Sequence, residues 1–162
     1  MTDVPFQSQD KEYQDLLRKA KLRCMNLLKT TDKTEWELRR KLSDGGYPDA
    51  ISDEAIAWLK SNRYLDDERY ARNYIESRSR DRGLRRIEQE LLGRGIAKDV
   101  VLEALSHAEA EDERQVIRRL AKKRGMELSD PTAEQLRKYY GFFLRRGFSY
   151  EAIREIWTDR EL

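Results

Sequence analysis

Three glycines, Gly46, Gly95 and Gly147, close the same local pattern at three places in the chain, and this recurrence limits the possible folds more than any other feature. Counting back eight and four residues from each gives Leu38 and Leu42, Ile87 and Leu91, Tyr139 and Phe143. Positions four apart lie on one face of a helix, so each pair reads as the core stripe of a helix that its glycine ends. An apolar residue follows each glycine: Tyr47, Ile96 or Phe148. A second apolar set comes after it, namely Ala55, Ile56 and Leu59, then Val100, Val101 and Ala104, then Ala152, Ile153 and Ile156. The glycines are 49 and then 52 residues apart, a period that marks a repeated supersecondary unit of three helices.

The turn signals between these stripes complete nine predicted helices. The first covers about Lys11 to Lys29, with Leu16, Leu17, Ala20, Cys24, Leu27 and Leu28 at helical spacing. The second opens on Thr34-Glu35-Trp36-Glu37, which has the form of a capping box, and stops at Gly45-Gly46. The third starts near Ser52 and ends at Ser61-Asn62. Asp66 or Asp67 caps a helix to about Asp81, Gly83 opens one ending at Gly95, and a short one follows from Lys98 to His107. The last three run about Glu111 to Arg124, Pro131 to Arg146 and Ser149 to Asp159, with Asp130-Pro131 and Ser149 as start signals. The predicted fold is therefore all-α, an elongated array of three tandem three-helix modules in the manner of helix-turn-helix repeats. Residues 1–10 form a flexible N-terminus, and the modules span 11–63, 64–108 and 109–162. Leu38, Leu42, Trp58, Ile87, Leu91, Tyr139, Phe143 and Trp157 are the predicted core.

Charged residues make up 40% of the chain and apolar ones 38%, a mixture that suits thin elements with apolar stripes. The net charge of +2 does not by itself point to nucleic acid, but its distribution is uneven. Asp99 to Glu113 holds six acidic residues and no Lys or Arg, whereas Arg114 to Arg124 holds six basic residues and no acid. Cys24 is the single cysteine, and no apolar run has the length of a membrane span or signal peptide. A reducing cytoplasm and no membrane partner are expected.

No catalytic, cofactor-binding or metal-ligating set is predicted. His107, the only histidine, falls in an acidic, Ala-rich stretch and reads as a helix-end residue; Cys24 sits among Leu27 and Leu28 as a buried inert thiol. Asp66-Asp67-Glu68 reads as a helix start in preference to a metal site. Gly45-Gly46 lacks the Lys-Ser or Lys-Thr of a phosphate-binding loop.

The basic clusters are the stronger functional features. They are Arg39, Arg40 and Lys41; Arg78, Arg80, Arg82, Arg85 and Arg86 around Gly83; Arg118, Arg119, Lys122 and Lys123; and Arg145 with Arg146. In the seventh helix Val116, Ile117, Leu120 and Ala121 define one face, and the four cations of that cluster lie opposite. Trp36, Trp58 and Trp157 stand among apolar residues at helical spacing and read as core in preference to base-stacking platforms.

Three ordered stretches resemble the bacterial RecX family: Thr34-Glu35-Trp36-Glu37-Leu38-Arg39-Arg40-Lys41-Leu42; Tyr64-Leu65-Asp66-Asp67-Glu68-Arg69-Tyr70-Ala71; and Gly83-Leu84-Arg85-Arg86-Ile87-Glu88-Gln89-Glu90-Leu91 with Arg94-Gly95-Ile96. The ending Phe143-Leu144-Arg145-Arg146-Gly147-Phe148 with Ile153-Arg154-Glu155-Ile156-Trp157 is similar to the family's third module. The resemblance covers about Lys21 to Trp157. It implies tandem three-helix modules in a monomeric regulator of the RecA recombinase, one that lodges in the groove of RecA filaments on single-stranded DNA and suppresses ATP hydrolysis, strand exchange and related recombination and SOS functions. Non-sequence-specific contact with duplex DNA falls within the same expectation, and no cofactor is implied. A helix-turn-helix DNA-binding protein without a recombinase partner is one alternative, although the cations are spread over all modules and no single helix offers an obvious base-reading set; a purely protein-binding adaptor, with the basic helices as solubilising surface, is the other.

Overall fold

A computed structural model of the chain describes residues 6–108 and 111–157, and among these it contains nine helices and no strand. The helices are α1 (Phe6–Thr30), α2 (Glu35–Asp44), α3 (Asp49–Ser61), α4 (Asp67–Arg78), α5 (Leu84–Gly93), α6 (Lys98–Ser106), α7 (Glu113–Lys123), α8 (Ala133–Arg145) and α9 (Tyr150–Trp157). The number and order match the sequence reading. The boundaries differ where a helix start was inferred from the wrong residue.

Helix α1 begins at Phe6, so residues 6–10 are helical where a flexible N-terminus was expected; residues 1–5 lie outside the described residues. Helix α3 starts at Asp49, three residues before Ser52, because Pro48 at the N-cap has φ −60° and ψ 152° and turns the chain directly into the helix. Ser52 is consequently buried within α3. Helix α8 is capped by Thr132 and not by Asp130-Pro131: the Thr132 hydroxyl accepts from the Gln135 N–H at 3.2 Å, and Gln135 Oε1 accepts from the Thr132 N–H at 2.8 Å. Helix α9 is described to Trp157, and the predicted end at Asp159 lies outside the described residues.

The described chain forms two compact units. The first holds the residues up to Tyr70 together with Arg94–Ile96. In it α1, α2 and α3 pack on one another around Leu17, Ala20, Cys24, Leu38, Leu42, Ile51, Ala55, Ile56, Leu59 and Leu65, all buried. Helix α2 ends in a Schellman turn: the Tyr47 N–H donates to the Leu42 carbonyl at 3.1 Å and the Gly46 N–H to Ser43 at 2.9 Å. At the other end of α2 the expected capping box is present, with the Thr34 hydroxyl accepting from the Glu37 N–H and Glu37 accepting from the Thr34 N–H. Asp67 adds a third cap by accepting the Glu35 N–H at 2.9 Å, while Asp66 accepts the Arg69 N–H and caps α4. The acidic run is thus structural, serving two helix starts. The Thr34 hydroxyl also donates to the Arg94 carbonyl at 2.7 Å, which fastens the Arg94–Ile96 turn to α2.

The second unit comprises residues 71–93 and those from 97 onward. Helix α5 packs on α6, while α7 and α8 pack on α9 around Val116, Ile117, Ala121, Phe143, Phe148, Ala152, Ile153 and Trp157. Tyr139 is only partly buried, as is Trp58 in the first unit, because each carries a polar or exposed edge out of the core. Tyr139 uses its hydroxyl to accept the Glu127 N–H at 3.0 Å, and Trp157 donates its indole N–H to the Glu127 carbonyl at 3.1 Å.

Ahead of α5, Gly83 meets the turn between α8 and α9. Its N–H donates to the Arg146 carbonyl at 2.9 Å, and a Cβ placed on Gly83 would lie 2.1 Å from the Gly147 carbonyl oxygen. A Cβ on Gly147, whose φ is +84°, would lie 2.4 Å from the Arg86 nitrogen. Main chain therefore meets main chain at this joint, and both glycines are required for the approach.

Leu91 is wholly buried on α5. Leu91→Ala should lower the unfolding free energy by about 2–5 kcal/mol through loss of apolar contact and the cavity left behind. Urea denaturation followed by circular dichroism checks this, and a loss below about 0.5 kcal/mol would contradict the assigned core.

Candidate nucleic-acid interface

In the first unit, Arg39 is committed to structure: its Nε donates to Glu35 at 3.0 Å and its Nη1 to Asp53, and Lys60 also reaches Glu35 at 2.8 Å. Burial pushes the Glu35 carboxyl up, but the hydrogen bonds from Lys60 and Arg39 outweigh it and hold the group below the usual carboxylate range. Arg40 and Lys41 are exposed and enter no ion pair among the described residues. Arg40 instead lies over the Trp36 ring, with 4.7 Å from its guanidinium carbon to the ring centroid. Trp36 is 42% exposed, which corrects its assignment to the core. Its position was misread because the Arg94–Ile96 turn covers it only in part, and nothing local in the sequence announces a turn some sixty residues away.

The second unit brings together cations that are far apart in sequence. Arg82, Arg86, Arg145 and Arg146 line one cavity of about 540 Å³, with Glu90 and Phe142 completing its wall. Glu90 accepts from Arg82, from Arg86 at 2.9 Å and from the Tyr74 hydroxyl at 2.8 Å. Burial opposes its charge, yet these hydrogen bonds keep the carboxyl below its ordinary value, so Glu90 stays ionised and holds two guanidinium groups in place. Arg146 is held by Asp81 at 3.5 Å and by the face of Phe142, over which Arg124 also lies at 4.6 Å. Arg124 ends the basic run seen in the sequence, but its place over Phe142, and Phe142 itself, were not foreseen, since neither spacing nor charge pattern pairs the two.

Arg85 is exposed on α5 and pairs with no carboxylate among the described residues. Arg78 lies over the Tyr74 ring at 5.4 Å, and Arg80 is exposed beside a separate cavity of about 430 Å³ that His107 also lines. The His107 ring nitrogen Nδ1 lies 2.9 Å from the Glu103 carbonyl at the end of α6, where a helix-end residue was expected. On α7, Val116, Ile117 and Ala121 are buried, and Arg118, Arg119, Lys122 and Lys123 are exposed on the other side. Arg119 is tied to Glu111 at 2.6 Å and to the Arg80 carbonyl at 3.1 Å. Arg118, Lys122 and Lys123 have no ion pair among the described residues and form the uncompensated stripe of this unit. Such a stripe is a surface for phosphates or carboxylates. No group of three or more His, Cys, Asp or Glu side chains arranged to hold a metal occurs among the described residues. No helix among them is long and apolar enough to cross a membrane.

Residues 20–59, 66–105 and 111–157 match the family models for the first, second and third three-helix domains of RecX. The regulatory protein RecX of Salmonella paratyphi A (strain ATCC 9150 / SARB42) is 35% identical, over 85% of this chain and 89% of the relative. That of Clostridium perfringens (strain 13 / Type A) is 32% identical, over 88% of this chain and 69% of the relative. The chain belongs to the RecX family. Two solved RecX structures share the fold. A crystal structure of regulatory protein RecX aligns with TM-score 0.76 at 22% identity, over 96% of this chain and 78% of that one. RecX from Lactobacillus salivarius aligns with TM-score 0.70 at 23% identity, over 88% and 94%. The three RecX domains follow the three repeats marked by Gly46, Gly95 and Gly147, and relatives of this family are named as regulatory proteins.

Proposed function

We propose that this chain is a non-catalytic, monomeric cytoplasmic regulator that binds RecA filaments on single-stranded DNA and inhibits their ATPase, strand exchange and dependent recombination and SOS activities. The observation that carries this reading is the succession of all three RecX domains along the chain, in relatives named as regulators. The surface chemistry supports it. Uncompensated cations occur in both compact units, at Arg40 and Lys41 in one and at Arg85, Arg118, Lys122 and Lys123 in the other. Several weak contacts carried on one chain gain avidity, which suits a repetitive target such as a filament.

Added to RecA filaments on single-stranded DNA, the protein should lower the steady ATPase rate at less than one copy per recombinase subunit. Replacing Arg118, Lys122 and Lys123 together by Glu should weaken this inhibition without loss of helical content, because all three point away from the core of α7. Unchanged filament ATPase at saturating protein, combined with tight binding to bare DNA, would overturn the reading in favour of a helix-turn-helix DNA-binding protein.

A further inference from the structure

Trp36 and Arg40 are four residues apart on α2 and share one face of it. The Gly95 turn backs the base of the indole: a Cβ there would lie 2.4 Å from Trp36 Cβ and Cγ, so the ring is held in position. Thr34 and Glu37, at the same end of α2, bind the carbonyl and guanidinium of Arg94 at 2.7 and 2.9 Å and fix that turn. The indole is thus anchored at its base and exposed beyond it, with Arg40 lying over the ring. A hollow of about 210 Å³ lies beside it; Lys33 and Lys41 add two further cations to its rim, which also carries the carboxylates of Glu37, paired with Arg94, and of Asp44.

A rigid, exposed indole with three cations around it matches the chemistry of one nucleotide in an unpaired strand. The base offers a π-face to the ring and the phosphates offer negative charge to the rim. Duplex DNA keeps its base faces stacked inside and cannot use the ring. An acidic peptide would use the cations and leave the aromatic surface unfilled. We propose that Trp36 and Arg40 form a stacking site for an unpaired nucleobase of single-stranded DNA, with Lys33 and Lys41 on the flanking phosphates. The base takes the position Arg40 holds over the ring, and the displaced guanidinium pairs with a phosphate of the same strand. This site rests on the single-strand binding proposed above and gives it a place on the molecule.

The test uses the full chain without recombinase and two oligomers of about 20 nucleotides, one of thymidylate and one abasic with the same phosphates. The wild type should bind the thymidylate strand roughly 5- to 100-fold more tightly, the range expected for one stacked base. Its tryptophan fluorescence should fall with that strand and not with the abasic one. Trp36→Leu should abolish both the preference and the quenching. Trp36→Phe should keep most of the preference with less quenching, so the site remains testable if the leucine variant loses helical content. Equal binding of the two oligomers by the wild type, or a preference that survives in Trp36→Leu, would overturn the site. So would a folded Trp36→Leu protein that binds oligomers normally but no longer inhibits filaments, since that assigns the ring to a protein contact. Wild-type filament inhibition measured in parallel separates the two proposals: inhibition without base preference removes this site alone, and absence of inhibition removes the broader reading.

Discussion

Gly147→Ala and Gly83→Ala should each destabilise the second unit by about 2–5 kcal/mol, whereas Gly46→Ala should cost only about 1 kcal/mol. Gly46 and Gly147 have nearly the same backbone conformation, with φ +77° and +84°, and each closes a Schellman turn. Conformation alone therefore predicts equal costs. Their surroundings differ: a Cβ on Gly46 meets nothing within 4 Å, while one on Gly147 would strike the backbone of Arg86. Gly83 is the complementary case, since its φ lies outside the left-handed region and the steric penalty comes from the Gly147–Phe148 peptide facing it. Alanine there also disturbs the hydrogen bond from the Gly83 N–H to the Arg146 carbonyl, worth about 1 kcal/mol. Urea denaturation of the three variants decides the matter. Losses at Gly83 and Gly147 no larger than that at Gly46 would mean that the two main chains do not touch.

The Cys24 thiol should react with a disulfide reagent at pH 8 more than about 100-fold faster in denatured than in native protein. Cys24 is wholly buried in the core of the first unit, and burial pushes its thiol up to about 11, a shift that neighbouring Arg23 only partly opposes. At pH 8 a group of that pKa is ionised in about one molecule in a thousand, against about a quarter for a free thiol near 8.5. Exclusion of the reagent from the core slows the reaction further. The same shift makes stability pH-dependent. The native state holds the thiol proton more tightly than the unfolded state, so the contribution is complete below about pH 8.5 and is lost as pH rises towards 11. Full labelling of native protein within seconds would show that Cys24 is exposed by rapid opening of the first unit.

The fold was legible because helical periodicity and terminal glycines are local signals. Leu38, Leu42, Ile87 and Leu91 fall where their spacing puts them, and the Thr34–Glu37 capping box needs only four consecutive residues. Helix starts set by conformation were harder to read: Pro48 begins α3 through its backbone angles and offers no side-chain cap. The candidate interface was legible in composition and not in pairing. Arg39, Arg86 and Arg119 carry the same charge as Arg40, Arg85 and Arg118, yet the first three are spent on carboxylates that the fold brings to them. Trp36 shows the same limit for aromatic residues. Its helical spacing places it on a face, but its exposure depends on a turn at Gly95 that arrives from the next repeat.

The two kinds of cap at the start of α2 have a consequence for how the chain assembles. Thr34 and Glu37 close hydrogen bonds over three residues, whereas Asp67 reaches the Glu35 N–H across 32. Closing the short loop is a sub-microsecond event available to an otherwise unfolded chain, while the long one carries a larger entropic cost and waits until α3 has brought its end back. One helix terminus thus combines a closure of low entropic cost with one of higher cost. The local box needs nothing beyond α2 itself, whereas the distant carboxylate is a latch that depends on the fold having brought Asp67 back to the start of α2.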